Sequence, residues 1–390
     1  MNHPVSLGKL AFDKAGQSAT SQATTKVLHL INGEHFSGAE RVQDLLGMSL
    51  GQFNYDVGFA CLKDGLFPSE RNSENELFEL NMRSKTDFKA IRRLRKLIVE
   101  NDYKILHAHT PRTVMAGSLV ARKTGCPLVY HVHSPVGRDS TRSFINRINQ
   151  IVESWSASQV SHFICVSDSI RQYMTELGYS PENMTTVANG VAIVDNVPNR
   201  STPSGTWTLG TTALFRPRKG TECLLEALSM LRKRDMDVRL LAVGPFETEE
   251  YELKIKTLAK KLQVEDLIEW TGFVNDVDAY FQRMDAFVLP SLFGEGLPMV
   301  LLESMAIGTP VISAEVEGVN QAIRADQDGL IFEPGEAGKL ADCVSDLIQG
   351  KHDWQAIRSS ALQRQRDGFS DTSMARGVAD IYDRLLANKS

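Results

Sequence analysis

The chain has 390 residues, 42% of them apolar and 23% charged, the balance of a soluble globular protein with room for two or three domains. A formal net charge of −5 argues against a general nucleic-acid binder, and no apolar run approaches the ~18 residues of a membrane span. The five cysteines, Cys61, Cys126, Cys165, Cys223 and Cys343, form no CxxC pair and read as reduced, buried cysteines of a cytoplasmic protein.

Residues 1–25 are rich in Ser, Thr, Ala, Gln and Gly without a signal-peptide core and predict a loose tail. Order is expected from Lys26. Val27–Ile31 is a strand, Asn32–Gly38 the loop after it, and Val42, Leu45, Leu46 and Leu50 mark a helix. Strands and helices then alternate. The sequence predicts strands over Asp56–Cys61, Lys104–His107, Leu128–Val132 and His162–Val166, and helices over Asp87–Glu100, Arg112–Lys123, near Ser143–Ser158 and from Ser169. This repetition means a parallel sheet covered on both faces. Residues 196–206 are polar and rich in Pro, Ser and Thr, which predicts a linker and an unrestrained hinge.

The alternation restarts with strand Leu209–Phe215, helix Thr221–Arg232, strand Val238–Val243, helix Thr248–Leu262 and strand Leu267–Trp270. The most informative stretch follows. Ala286–Leu289 is a buried strand, Gly294-Glu295-Gly296 a glycine-punctuated turn, and Pro298 the expected first helical residue. Gly308 should cap that helix in the left-handed region before the strand Pro310–Ile312. The unit opens a helix N-terminus towards a ligand, where unpaired N–H groups and a positive partial charge suit a phosphate. Glu295 and Glu303 flank it, and a ligand with phosphate and vicinal hydroxyls, a sugar nucleotide, would use all of these groups. A last helix over Ser373–Leu386 can stay on the second half or cross back to the first.

These two glutamates resemble the E-x7-E signature of the retaining glycosyltransferases of family 4. The resemblance runs from about Lys26 to the C-terminus and implies two facing Rossmann-like doubly wound domains, the GT-B fold. It divides the chain into an acceptor-side domain over 26–195, a linker over 196–206, a donor domain over 207–370 and a C-terminal helix over 371–390. It implies that Glu295 contacts the donor sugar and Glu303 the ribose, with Gly296 and Leu297 in the donor loop. Phe36–Arg41 resembles the family's Gly-Gly-x-Glu segment; Ser37 replaces its first glycine and Gly38 matches the second. Val166-Ser167 and Asn189-Gly190-Val191 resemble further family segments. The implied reaction uses a nucleotide diphosphate sugar as donor substrate, a hydroxyl acceptor of glycan or lipid-linked type, no cofactor and no divalent metal.

Arg216-Pro217-Arg218-Lys219-Gly220 places three cations between a strand and a helix, where a diphosphate leaving group needs them. Lys219 matches the family's lysine; Arg216 is the preferred arginine and Arg218 its competitor. His107-Ala108-His109 and His131-Val132-His133 end neighbouring strands, and residues two apart share one side of a strand. They can chelate a metal, as in a metal-dependent hydrolase, or position a sugar. The resemblance favours the second use for His133, although its usual Asp neighbour is Ser134 here. A sugar-nucleotide epimerase and a non-catalytic nucleotide-sugar binder are further alternatives. Asp276-Val277-Asp278 reads as a helix cap rather than a metal-binding D-x-D. Lys89, Arg92, Arg93, Arg95 and Lys96 make a basic amphipathic helix, which suits either a plain surface helix or peripheral contact with the inner face of a membrane. Arg138, Arg142 and Arg147 stand where an anionic acceptor would meet the site.

Overall fold

A computed structural model describes residues 24–84, 87–135 and 158–388. The tail expected over 1–25 (all but its last two residues), the helix expected near Ser143–Ser158 (all but Ser158) and the arginines at 138, 142 and 147 fall outside them.

Strands β1 (Thr25–Ile31), β2 (Tyr55–Cys61), β3 (Leu77–Glu79), β4 (Ile105–Ala108), β5 (Leu128–Val132), β6 (His162–Cys165) and β7 (Met184–Thr186) form the first sheet. Strands β8 (Trp207–Thr212), β9 (Val238–Val243), β10 (Ile268–Gly272), β11 (Ala286–Leu289), β12 (Val311–Ala314) and β13 (Gly329–Phe332) form the second. Their orders are β3-β2-β1-β4-β5-β6-β7 and β10-β9-β8-β11-β12-β13, and neighbouring strands run parallel throughout. The central strands are apolar runs because helices cover both faces. In β1, Val27, Leu28, Leu30 and Ile31 are all fully buried. Each sheet reverses its strand order next to its first strand, β1 against β4 and β8 against β11. Those switch points open the crevice in which such sheets bind ligands.

The basic helix Phe88–Glu100 buries Ala90, Leu94 and Ile98, and Arg93 donates to the carbonyl of Leu80 at 2.7 Å, so one face covers the sheet. Among the described residues no helix is long and apolar enough to cross a membrane. Cys61, Cys126, Cys165 and Cys223 are buried and Cys343 half-buried, all unbridged. Sequence patterns missed β3, β7 and β13, strands of three or four residues, too short for an alternation to register.

The connection over 196–206 is not the unrestrained hinge that its composition predicts. Arg358 donates to the carbonyl of Pro198, and Gln355 Nε2 donates to the carbonyl of Arg200 at 2.5 Å. The Arg200 guanidinium donates to the Met284 carbonyl at 2.6 Å and pairs with Asp285 at 2.5 Å. These bonds tie the polar segment to the second domain. The chain passes between the domains twice, and the two passes are bonded together. Val191 N donates to Phe369 O at 2.9 Å, and Asp371 N donates to Val191 O at 3.0 Å.

The final helix, Asp371–Ala387, lies on the first domain, against the helix Gly38–Ser49. It buries Met374, Ala375, Val378, Ala379, Ile381 and Tyr382. Tyr55 donates to Asp383 at 2.5 Å and Ser49 to Asp371 at 2.9 Å. Ile381→Ala should therefore cost ~2–5 kcal/mol, as buried Ile→Ala changes do. Urea denaturation of the full chain measures it; a loss below ~1 kcal/mol would mean that the first domain folds without this helix.

Candidate active site

The loop after β11 is built around a buried carboxylate. Glu295 is 6% exposed at its side chain. Its Oε1 accepts from Lys219 Nζ at 2.7 Å and from Ser291 Oγ at 2.6 Å, with Arg218 Nη1 at 3.4 Å. Burial pushes this carboxyl up, but the charges of Lys219 and Arg218 and the bonds from Lys219 and Ser291 outweigh it and hold the group below the ordinary carboxylate range. Arg218 also donates to the carbonyls of Gly294 and Phe293 at 3.0 and 3.3 Å. Glu317, which sequence reasoning missed, accepts from Gly294 N at 2.8 Å.

The two arginines of the run face different partners. Arg216 faces Glu247 across 3.5 Å, and it is Arg218 that accompanies Lys219 at Glu295. The spacing of the run explains the difference. Pro217, Arg218 and Lys219 form a single 3-10 turn closed by Gly220 in the left-handed region, φ 67°, which sends the two arginines in different directions.

Pro298 is the residue just before the helix Met299–Ile307, not its first residue, and no side chain caps that N-terminus. Gly308 ends the helix at φ 76°. Eight of the nine residues of this helix are buried, Glu303 among them. The partner of Glu303 comes from the other domain: Arg41, in the helix Gly38–Ser49, makes an ion pair with its carboxylate. Burial raises the Glu303 carboxyl, Arg41 opposes the rise, and Asp278 adds to it. Asp276 accepts from Ala279 N at 3.2 Å and caps the short helix Val277–Phe281.

Gly296 and Leu297 bring the two domains into contact. Gly296 has φ 70°, and a Cβ there would lie 2.0 Å from the backbone oxygen of His133. Only glycine allows both the left-handed backbone and this approach. The carbonyl of buried Leu297 accepts from Asn189 Nδ2 at 2.9 Å. Gly38 completes the seam, since a Cβ there would lie 3.7 Å from Met299 Cγ. Glu40, two residues on, accepts from Ser37 Oγ at 2.7 Å and closes the start of its own helix.

Behind His133 stands a group of imidazoles larger than the two His-x-His pairs. His29, dispersed in the sequence, joins them because β1 lies beside β4 with His29 level with His107. His29, His107, His109 and His131 are buried and His133 half-buried. Two sets, His29/His107/His109 and His109/His131/His133, hold ligand nitrogens within 4.8 Å of one another. Burial pushes His29 and His133 down to about 3 and His107, His109 and His131 well below their ordinary value, so all five are neutral at pH 7. Tyr382 of the last helix, also missed from the sequence, bonds to His107 and His29.

These shifts fix a pH dependence. An unfolded histidine titrates near 6.5, so below that pH the unfolded chain binds protons that the folded chain refuses. Stability is fully present above about pH 6.5 and is lost as pH falls towards 3, with a limiting slope of ~1.4 kcal/mol per pH unit per histidine. The melting temperature should be flat from pH 8 to 7 and fall steeply below 6.5. His131→Gln, with one imidazole fewer, should give a shallower fall; an equally steep one would place the acid sensitivity elsewhere.

The profile described as Glycosyltransferase Family 4 matches residues 36–194 and that described as Glycosyl transferases group 1 matches residues 197–364. The chain is 26% identical over 312 residues to the phosphatidyl-myo-inositol mannosyltransferase of Mycobacterium leprae, covering 76% of this chain and 78% of that one. It is 22% identical over 389 residues to the UDP-Gal:alpha-D-GlcNAc-diphosphoundecaprenol alpha-1,3-galactosyltransferase of Escherichia coli, covering 95% and 100%. The fold matches the crystal structure of the HepE protein of Anabaena in complex with UDP, with a TM-score of 0.80 at 20% identity over 92% of this chain and 100% of that one. It also matches sucrose-phosphate synthase from Thermosynechococcus elongatus, with a TM-score of 0.76 at 17% identity, covering 93% and 100%. With two profiles that between them take in both domains, and with this fold, the chain belongs to the glycosyltransferases of family 4.

Proposed function

We propose that this glycosyltransferase moves a sugar from a nucleotide diphosphate sugar to a hydroxyl acceptor with retention at the anomeric carbon and without a divalent metal. The observation that carries the reading is the seam at Gly296. It sets the Glu295 loop and the uncapped helix start at Met299 directly against His133 of the other domain. Relatives support the donor class: the HepE structure holds UDP, and the Escherichia coli relative is named for UDP-Gal.

In this reading the ribose hydroxyls share Glu303 with Arg41. The diphosphate lies at the N-terminus of Met299–Ile307, where peptide dipoles favour an anion. Lys219 and Arg216 supply the remaining charge. Arg218 is tied to the carbonyls of Phe293 and Gly294 and shapes the loop, whereas the 3.5 Å pair of Arg216 with Glu247 is longer than the 2.7–2.9 Å of a charge-assisted bond and yields more readily to phosphate. Glu295 and His133 face the sugar. The leaving phosphate oxygen takes the acceptor proton on the face from which the nucleotide departs, so no enzyme nucleophile forms a bond to the sugar. The first and second domains must stay together for transfer, because His133 and Gly38 belong to one and Lys219, Glu295 and Glu303 to the other.

A thermal-shift screen of nucleoside diphosphates identifies the base, since a ligand at 100 times its dissociation constant adds ~2.7 kcal/mol. Acceptor-dependent release of nucleoside diphosphate then separates transfer from epimerisation and from binding without turnover. Glu303→Ala, Lys219→Ala and Arg216→Ala should each lower turnover by ~10²–10³, the usual effect of removing one group aimed at transition-state charge. Arg218→Ala should instead lower the melting temperature. Near-normal turnover in any of the first three removes that residue from the site. Activity should also survive EDTA; loss in EDTA with recovery in manganese would restore a metal-dependent reading.

A further inference from the structure

Hydrogen bonds run without a gap from the last helix of the chain to the seam between the domains. Tyr382 Oη lies 2.5 Å from His107 Nδ1 and 3.2 Å from His29 Nε2. The other nitrogen of His29, Nδ1, lies 3.2 Å from His109 Nε2. His109 Nδ1 in turn lies 3.1 Å from His133 Nε2.

Each link holds one proton between two atoms. A neutral imidazole has one N–H and one lone pair, so the polarity of any link sets that of every other. Tyr382 decides it, having one O–H and two nitrogens facing it. If it donated to His107 Nδ1, the proton of His107 would sit on Nε2, which is buried with no protein partner. Orphaned buried N–H groups are rarer than under-used acceptors, so His107 Nδ1–H donates to Tyr382 Oη. Tyr382 then donates to His29 Nε2, His29 Nδ1–H to His109 Nε2, and His109 Nδ1–H to His133 Nε2. His133 is left with its proton on Nδ1.

We propose that Tyr382 is a positioning residue of the transfer site: through His29 and His109 it fixes the ring and the tautomer of His133, which thereby offers Nδ1–H to a sugar hydroxyl. The proposal rests on the sugar-facing role given to His133 above. It gives the crossing helix a part in the site as well as in the fold. The same nitrogens meet the distance requirement for a cation, but in these links they point at one another. Nitrogens 3.1 Å apart are at the separation at which one ring's N–H donates to the other's lone pair.

The test uses the full-length protein with nitrogen-labelled histidine. In the unmodified protein the His133 Nδ1 resonance should be of the protonated type and Nε2 of the unprotonated type; the reverse overturns the polarity and the proposal. Tyr382→Phe removes one oxygen and keeps the ring, and should move both His133 nitrogens to intermediate, mixed-tautomer shifts. Tyr55→Phe is the control, because it removes a bond to the same helix at Asp383 without touching the chain of imidazoles. It should lower the melting temperature and leave the His133 shifts alone. With UDP-glucose, UDP-galactose and GDP-mannose as donor probes, release of nucleoside diphosphate should fall at least ~10-fold in Tyr382→Phe and less than twofold in Tyr55→Phe. Unchanged shifts in Tyr382→Phe, or equal shifts in both variants, overturn the coupling itself. Altered shifts with unchanged turnover overturn the role of His133 in transfer, and the positioning role with it, while Glu303→Ala reports on the donor site separately.

Discussion

The contact between Gly296 and the backbone of His133 is the constraint on which the site depends. A side chain at 296 would collide with a carbonyl of the other domain, so the loop after β11 reaches the first sheet only as bare backbone. That approach sets the loop before the helix Met299–Ile307 against the residue that follows β5, and Met299 itself against Gly38. It also brings Arg41 within reach of Glu303 and Asn189 to the carbonyl of Leu297. Polar partners therefore line the seam from both sides, as buried carboxylate and carbonyl groups require.

The two halves of the site use opposite electrostatic strategies. The second domain buries an ionised carboxylate, Glu295, and keeps it ionised with Lys219 and Arg218. The cost of desolvating three charges is offset by direct bonds in a confined loop. The first domain gathers five imidazoles, four buried and one half-buried, and keeps them neutral, joining four of the five to Tyr382 or to one another by hydrogen bonds. Charge gathered on one wall and neutral donors and acceptors on the other suit a ligand with an anionic end and a hydroxylated end.

The two covalent passes between the domains are hydrogen-bonded to each other. The passes at Val191 and at Phe369–Asp371 share two backbone bonds, and the polar connection beyond them is clamped by Arg358, Gln355 and Arg200. The last helix makes the arrangement reciprocal, since residues that follow the second domain complete the core of the first.

Much of this was legible in one dimension. Apolar runs such as Val27–Ile31 and Ala286–Leu289, alternating with helical spacing, determined two parallel α/β units, because a strand buried on both faces has to be apolar throughout. Glycine and proline fixed the turn at 294–298 and the cap at Gly308, since local backbone geometry admits few other residues there. Strand order and the crossing of the last helix belonged to tertiary structure alone. His29 looks isolated until β1 pairs with β4, and Tyr382 is an ordinary apolar-face residue until its helix returns to the first domain. Arg216 and Arg218 are equivalent cations in sequence, and only the 3-10 turn between them directs one to Glu247 and the other to Glu295. Composition likewise misjudged the connection over 196–206, because a polar segment is free or clamped according to which side chains the fold brings to its carbonyls. Local sequence sets conformation through backbone sterics and periodic burial, whereas partners hundreds of residues apart are chosen only when the sheets and helices have packed.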